Sequence, residues 1–439
     1  MKSALKNLLP GKVSLAPAGA IFLIGFCVRL AYLHFKGAVG GYDTLDYLKL
    51  ADNLYNYGAY SLSDAPNLVP SIRRAPVYPY FLAFMQWLGG GTVSQWSVGF
   101  IQCVLDSFTA AAIFLLARKV VSKPLAVAAA VFYIVHPGVL ARSRLLLTET
   151  LFAFFLVVGV LVLIDAFEKE TIGRLFWAGF LLGLAVLTRP IAVVFPVLFF
   201  AAVGFKSNSK KYYRLTAIAG TVFLLTLAPW LIRCYRVSGQ FVFVQGVTAF
   251  QFYAPTRVDL AQWDENKLWT EFFDPNTDDE YFRMLARAES PADFIAAEKT
   301  GRQRAVENIS AHPREYLISR AKTYPYFFIS SFDNFTGINK SFGRLLAEGY
   351  YFSLTFKILL LLIFSLLPFG LSVIGLRRIS QNSTTAFCAL IWISVLLIHL
   401  PMWIEYRFWV PFVPFQIISA VAGLAVLQDR LWPPEPAES

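Results

Sequence analysis

The feature that most constrains this chain is the recurrence of apolar stretches close to the ~20 residues an α-helix needs to cross a bilayer's ~30 Å hydrocarbon core. About ten are legible: Ala18 to Phe35, Val98 to Ala117, Leu125 to Ala141, Thr150 to Phe167, Leu175 to Leu187, Ile191 to Phe205, Thr216 to Ile232, Leu354 to Leu376, Ala386 to Met402 and Val410 to Leu427. Hydrophobic residues make up 57% of the 439 and charged residues only 15%, so no water-soluble fold hides that much apolar surface. The expected fold class is an all-α polytopic membrane protein, a bundle of about ten transmembrane helices.

Lys and Arg mark the cytoplasmic side of such a bundle. They collect at Lys2, Lys6 and Lys12, at Arg118, Lys119 and Lys123, at Lys169 and Arg174, at Lys206 to Arg214, at Arg377 and Arg378, and at Arg430. Every second loop is therefore inside, both termini are cytoplasmic, and two long polar segments face outward. The division that follows is an N-terminal membrane module over 1–236 with a first outer loop at 36–96, an extracytoplasmic domain over 237–353, C-terminal helices over 354–429 and a short tail over 430–439. The net charge of +11 is this orientation signal and needs no nucleic-acid partner. Arg29 interrupts the first apolar stretch and no small-x-small cleavage pattern follows, so it reads as an anchor. Cys27, Cys103, Cys234 and Cys388 all fall within expected spans, too far apart for a ligand cluster, and neither disulfides nor a zinc site are expected.

In the first outer loop, Tyr47, Leu50, Ala51, Leu54 and Tyr57 recur at helical spacing, the pattern of a helix lying along the membrane surface. Arg73-Arg74-Ala75-Pro76 then leads into an apolar run ending at Leu88, too short to span, which reads as a second interfacial helix. In the second outer segment, Ser290-Pro291-Ala292-Asp293 is a capping box, with Phe294, Ala297, Gly301, Ala305 and Ile309 on one stripe, and His312-Pro313 starts another helix. No Walker, Rossmann or metalloprotease motif occurs, so no nucleotide cofactor is expected.

Ionisable residues at the outer helix ends are costly and hence functional candidates. Asp43 follows the first span; Arg142, Arg144 and Glu149 precede the fourth; Arg189 separates the fifth and sixth; Glu405 and Arg407 precede the last. Arginines outside run against the charge rule, and a bound anion such as a lipid phosphate explains several at once, since the guanidinium fork matches phosphate oxygens. Each residue also has a plainer reading. Asp43 is placed to cap the Thr44 to Tyr57 helix, Glu149 to cap the fourth span, Arg189 to snorkel, and Arg407 to pair with Glu405 at the rim. Asp106 requires a partner on a neighbouring helix.

Four ordered motifs carry a family resemblance. Asp43, Tyr47, Ala51 and Gly58 are followed by Arg74-Ala75-Pro76-Val77-Tyr78-Pro79-Tyr80-Phe81-Leu82-Ala83. Leu146-Leu147-Thr148-Glu149 is the second, Gly183-Leu184-Ala185 with Thr188-Arg189-Pro190 the third, and Glu405-Tyr406-Arg407-Phe408-Trp409-Val410-Pro411-Phe412-Val413-Pro414 the fourth. Together they resemble the polyprenyl-phosphate-sugar-dependent glycosyltransferases of the GT-C superfamily, in the family 39-like group of protein O-mannosyltransferases and the lipid A aminoarabinose transferase. Phe408 stands where that family usually has Tyr, which puts a hydroxyl role there in doubt.

The resemblance implies a membrane glycosyltransferase, hexosyl- or pentosyl-transferring and inverting, with a polyprenyl-monophosphate sugar as donor and a lipid, glycan or protein hydroxyl as acceptor, acting on the outer face of the cell membrane. It implies Asp43 as general base, Arg74, Arg189 and Arg407 as ligands of the donor phosphate, and Glu149 as the residue that orients the acceptor or, with Asp43, holds a divalent metal. Asp46, Tyr47, Glu405 and Tyr406 are further site candidates. Two other readings stay open: a lipid-linked polysaccharide polymerase or ligase, against which the Asp43 to Ala83 motif argues, and a non-enzymatic lipid or sugar transporter, for which internal repeats are expected and none is seen.

Overall fold

A computed structural model describes residues 15–199, 210–257, 272, 274–329, 335 and 342–431, apart from the side chains of Tyr42, Tyr326, Ile329 and Tyr406. Among these residues the fold is helical, relieved only by isolated bridges such as Val39 to Leu145. Six helices are long and apolar enough to span: α1 (Ala16–Lys36), α4 (Gln95–Ala117), α7 (Glu149–Lys169), α10 (Lys210–Ser238), α13 (Tyr351–Arg378) and α15 (Val410–Leu431). Two interfacial helices separate the first pair, α2 (Tyr42–Tyr57) and α3 (Val77–Leu88), both where the sequence places them.

The expected third span is a broken one, α5 (Lys123–Val135) and α6 (Pro137–Ser143), bent by 55°. Pro137 has no N–H to continue the first ladder, which is the ordinary cause of such a break. Three further apolar helices, α8 (Ile172–Thr188), α9 (Pro190–Phe199) and α14 (Ser383–Ile398), are shorter. The described parts of these apolar stretches are largely helical, residues 200–205 lying outside the described residues, and among the described residues six helices have the length of a full span, or seven with the bent pair. The count of ten crossings is not established by helix length. The chain is a multi-pass membrane protein.

Without water to drive them together, membrane helices associate through close backbone packing at small residues. Gly375 and Gly423 do this between α13 and α15, where a Cβ on either would come within 2.0 Å of a backbone oxygen of the other helix. Gly183 of the third motif faces Thr226 of α10 at 2.7 Å from its would-be Cβ, so its motif position is set by packing. Asp106, buried in α4, is met by Arg29 of α1 and by the Tyr133 hydroxyl of α5, the neighbouring-helix partners its burial requires.

In the second outer segment, Ser290 and Asp293 exchange the hydrogen bonds of a capping box at the start of α11 (Pro291–Ala311). The stripe of Phe294, Ala297, Gly301 and Ala305 is buried, with Ile309 half-buried. The Glu298 carboxylate accepts from the backbone N–H groups of Thr248 and Ala249, which fastens α11 to the chain leaving α10. His312 ends α11, and α12 (Pro313–Thr323) follows at once.

Candidate active site

The first motif folds Asp43 into the opening turn of α2, but not as its cap. Gly41 is the N-cap residue, and its N–H donates to Thr44 Oγ1 at 2.8 Å. Thr44 in turn donates to the Leu146 carbonyl at 2.8 Å, and Leu146 N–H donates to Val39 O at 3.0 Å. These bonds stitch the start of α2 to the turn that carries Glu149. The capping reading of Asp43 is thereby corrected: Thr44 does that work, and the Asp43 carboxylate is left for other partners.

Those partners are arginines drawn from opposite ends of the sequence. Arg74 Nη2 lies 2.7 Å from Asp43 Oδ1, and Arg407 Nη1 lies 3.0 Å from Oδ2. Arg74 also donates from Nε to Asp46 at 2.8 Å, while Arg407 Nε sits 2.6 Å from Glu405. Arg407 is therefore no simple rim partner of Glu405; it bridges two carboxylates. Asp43 and Arg407 side chains keep 15% and 16% exposure, open enough to meet a ligand and dry enough for charge to act strongly. Burial pushes the Asp43 carboxyl up, but the Arg74 and Arg407 charges and hydrogen bonds outweigh it and hold the group well below the usual carboxylate range. Arg407 is displaced the other way: burial lowers it, and Glu405 and Asp43 more than restore it.

Glu149 opens α7, which has no side-chain cap. Its side chain is 4% exposed, Arg189 stands 3.6 Å from Oε1, Arg407 is close enough to feel its charge, and Oε2 has no hydrogen-bond partner among the described residues. A buried carboxylate held this loosely is costly and calls for a ligand or a reaction to explain it. Arg189 lies between the rings of Phe152 and Phe408, at 5.9 and 5.5 Å. Phe408, where the family pattern has Tyr, thus supplies a face for two guanidiniums, since Arg407 also lies 5.3 Å from it.

Tyr47 is buried beneath Arg74, 5.4 Å from ring to guanidinium, with its edge against Tyr78. Tyr406 belongs to the 3-10 turn Tyr406–Phe408; its side chain is outside the described residues. Arg144 is spent elsewhere, donating to the Lys36 and Gly37 carbonyls at the end of α1. Two residues escaped the sequence reading. Arg73 pairs with Asp46 at 3.0 Å, which the tandem arginine hinted at. Buried Trp403 donates from Nε1 to Glu405 at 2.8 Å, and no sequence signal marks it.

The residues do not assemble a metal site. Both Asp43 oxygens face guanidiniums, and among the described residues no group of three or more His, Cys, Asp and Glu side chains is placed to hold an ion. A largely apolar cavity, with Arg233 also in its wall, is lined by residues two positions along the chain from members of the charged cluster. It measures about 820 Å³ and runs between α3, α7, α8 and α10, walled by residues such as Tyr80, Phe84, Phe155 and Trp230. Pro76, Leu151 and Leu187 also line it, each two positions from Arg74, Glu149 or Arg189.

Residues 73–232 match the family model described as dolichyl-phosphate-mannose-protein mannosyltransferase. No curated protein sequence matches the chain. Among solved structures it is similar to the archaeal oligosaccharyltransferase AglB from Archaeoglobus fulgidus in complex with an inhibitory peptide and a dolichol-phosphate, at 14% identity and a TM-score of 0.53 over 94% of this chain and 50% of that one. The same enzyme with Zn and sulfate matches at 17% identity and 0.54, over 94% and 49%. ArnT from Cupriavidus metallidurans bound to undecaprenyl phosphate matches at 12% identity and 0.45, over 94% and 78%. The chain spans about half the length of the oligosaccharyltransferase structures it resembles. Residues 73–232 are thus similar to that mannosyltransferase family, and the chain shares its fold with the membrane part of these oligosaccharyltransferase structures.

Proposed function

We propose that this protein transfers a sugar from a polyprenyl-monophosphate donor to an acceptor hydroxyl of a lipid, glycan or protein at the extracytoplasmic face of the membrane. The observation that carries this reading is the Asp43 carboxylate bridged by Arg74 and Arg407, with a largely apolar cavity lined by chain neighbours of the cluster. A polyprenyl phosphate has that polarity: an anionic head for the arginines and a hydrocarbon tail for the cavity.

In the proposed single displacement, the acceptor oxygen bonds to the sugar's anomeric carbon as the bond from that carbon to the phosphate oxygen breaks. The configuration inverts, the acceptor proton passes to Asp43, and polyprenyl phosphate leaves with its charge held by Arg74, Arg189 and Arg407. A carboxylate held far below its usual range is a weak base. The entering phosphate corrects this by competing for Arg74 and Arg407, which loosens their hold on Asp43 and raises its basicity only when donor is present. Glu149, buried next to Arg189, orients the acceptor hydroxyl, and the 237–353 segment selects the acceptor.

Orientation follows the basic loops. Lys119, Lys169 and Arg174 gather around Asp165 at the far end of α7 from Glu149, which supports the reading with the site outside and both termini inside. A periplasm-active reporter is expected to be silent after Gln381 and active near Asp274. The decisive experiment is reconstitution in vesicles with a panel of polyprenyl-phosphate sugars, with and without an imposed ion gradient, followed by mass spectrometry. Release of polyprenyl phosphate with a glycosylated acceptor supports the reading; gradient-dependent movement of intact donor with no bond cleavage refutes it in favour of a transporter.

A further inference from the structure

Arg320 of α12 is 6% exposed, lies 5.9 Å from the Tyr316 ring and has no carboxylate partner among the described residues. Its Nη1 donates to the Met402 carbonyl at 2.6 Å, while Nε and Nη2 have no hydrogen-bond partner among the described residues. Burial pushes this guanidinium down to about 10, so it still carries its charge at neutral pH. A buried cation with one neutral acceptor is a poor strut, because desolvation is not repaid by a counter-charge. Its position gives it another use. Tyr316, one turn earlier on α12, donates to the Pro401 carbonyl at 3.1 Å. Trp403, the residue after Met402, donates its N–H to Gln251 O at 2.7 Å and its indole N–H to Glu405. Glu405 then holds Arg407 at 2.6 Å, and Arg407 reaches Asp43. The strap from Pro401 to Glu405 is thus gripped from the extracytoplasmic side and ends on the charged cluster.

We propose that Arg320 is a positioning residue for transfer, through which helix α12 fixes the Pro401 to Glu405 strap and so aims Arg407. The inference rests on the reading of Arg407 as a ligand of the donor phosphate. It makes the outer segment a part of the donor site as well as a reader of acceptors: a shift of α12 alters donor affinity through one hydrogen bond to a backbone carbonyl.

The test is a titration of the full-length protein in nanodiscs with polyprenyl monophosphate, the leaving product, which binds without turnover. Arg320→Gln is expected to weaken that affinity about tenfold, the scale of one lost charge-assisted hydrogen bond, to raise the donor KM by the same factor, and to leave kcat at saturating donor unchanged. In an Arg407→Lys background it should cost nothing further, whereas a merely structural defect adds to the second change. Arg320→Lys, which keeps a donor for Met402, should recover most of the loss; if Arg320→Gln does not fold, Tyr316→Phe, which releases the neighbouring Pro401 carbonyl, is expected to weaken donor affinity in the same direction, and wild-type affinity there overturns the role of the α12 grip. Wild-type affinity in Arg320→Gln, or losses that add in the double variant, overturn the role of Arg320 alone. A wild-type protein that binds no polyprenyl phosphate overturns the site reading and this inference with it.

Discussion

The chain holds two arginine–aspartate contacts that look alike on paper and differ in everything around them. Arg29 and Asp106 meet between α1 and α4, where neither side chain is more than 3% exposed, and Tyr133 closes the remaining carboxylate oxygen. Asp43 and Arg407 meet at what we propose is the outer face, each about one-sixth exposed, and each has a second charged partner in Arg74 or Glu405. The first pair is one acid matched to one base and sealed. The second is shared, so any contact can be traded for one with a ligand without stranding a charge. Intramembrane charge is costly in both places; the inner pair turns that cost into helix register, the outer cluster into an exchangeable site.

Exchange of the two acids separates these roles most sharply. Asp43→Asn keeps the shape of the side chain but offers one acceptor oxygen instead of two and cannot accept a proton at neutral pH, so transfer is expected to fall by roughly 10²–10⁴ with expression and thermal stability intact. Near-normal transfer by the purified variant would move the base to Asp46 or Glu149. The opposite pattern is expected inside the bundle. Arg29→Met strands Asp106 and should lower stability by about 3–5 kcal/mol, read as lost expression or a lower Tm, while pairing it with Asp106→Leu restores folding. If the double variant stays as unstable as the single one, the inner pair is more than a matched strut.

The inner pair and the outer cluster also differ in how far they can be read from sequence. Arg29 and Asp106 announce themselves as charges inside apolar stretches, and helical periodicity fixes their depth, so a partner could be expected. The members of the outer cluster come from residues 43, 74, 149, 189 and 407, and no local pattern says that Arg74 and Arg407 converge on one carboxylate. Only ordered motifs put them in one set. Cap geometry was the instructive miss: Asp43 has the right type and spacing for an N-cap, yet the Thr44 hydroxyl reaches back to Gly41 and also across to Leu146, a tertiary contact that decides between two local alternatives. Trp403 and Arg320 were illegible because their work is done on backbone carbonyls and on a second side chain, which leave no trace in residue pattern. The count of crossings is left open by helix length, since Ile172–Thr188 and Ser383–Ile398 are apolar but short.

A milder change sharpens the exchangeable character of the outer pair. Arg407→Lys keeps the charge and loses the planar fork that spans two oxygens. Donor affinity is expected to fall about tenfold with folding unchanged, the scale of one charge-assisted contact. Kinetics identical to wild type would leave Arg407 as a structural bridge between Asp43 and Glu405, and the comparison with Arg29 would lose its point.

The smallest effect concerns pH and follows from the sharing itself. A general base works while ionised, so its contribution is lost as pH falls through its pKa, and Arg74 and Arg407 hold Asp43 below the usual carboxylate range against the upward push of burial. The acid limb of kcat/KM for the donor, which reports the free enzyme, should therefore lie below the ~3.9 of an ordinary Asp. Arg407→Gln removes one of the two cations and leaves burial in place, so the limb should move to higher pH by about one unit or more. The plateau also drops, through weaker donor binding, but a lowered plateau does not shift a limb. The sign is the discriminating feature: loss of a cation beside a carboxylate base can only raise its pKa, whereas a limb set by Glu149 would respond to Arg189 instead. Superimposable acid limbs for wild type and Arg407→Gln, with a shifted limb in Arg189→Gln, would transfer the base assignment from the bridged carboxylate to the loosely held one.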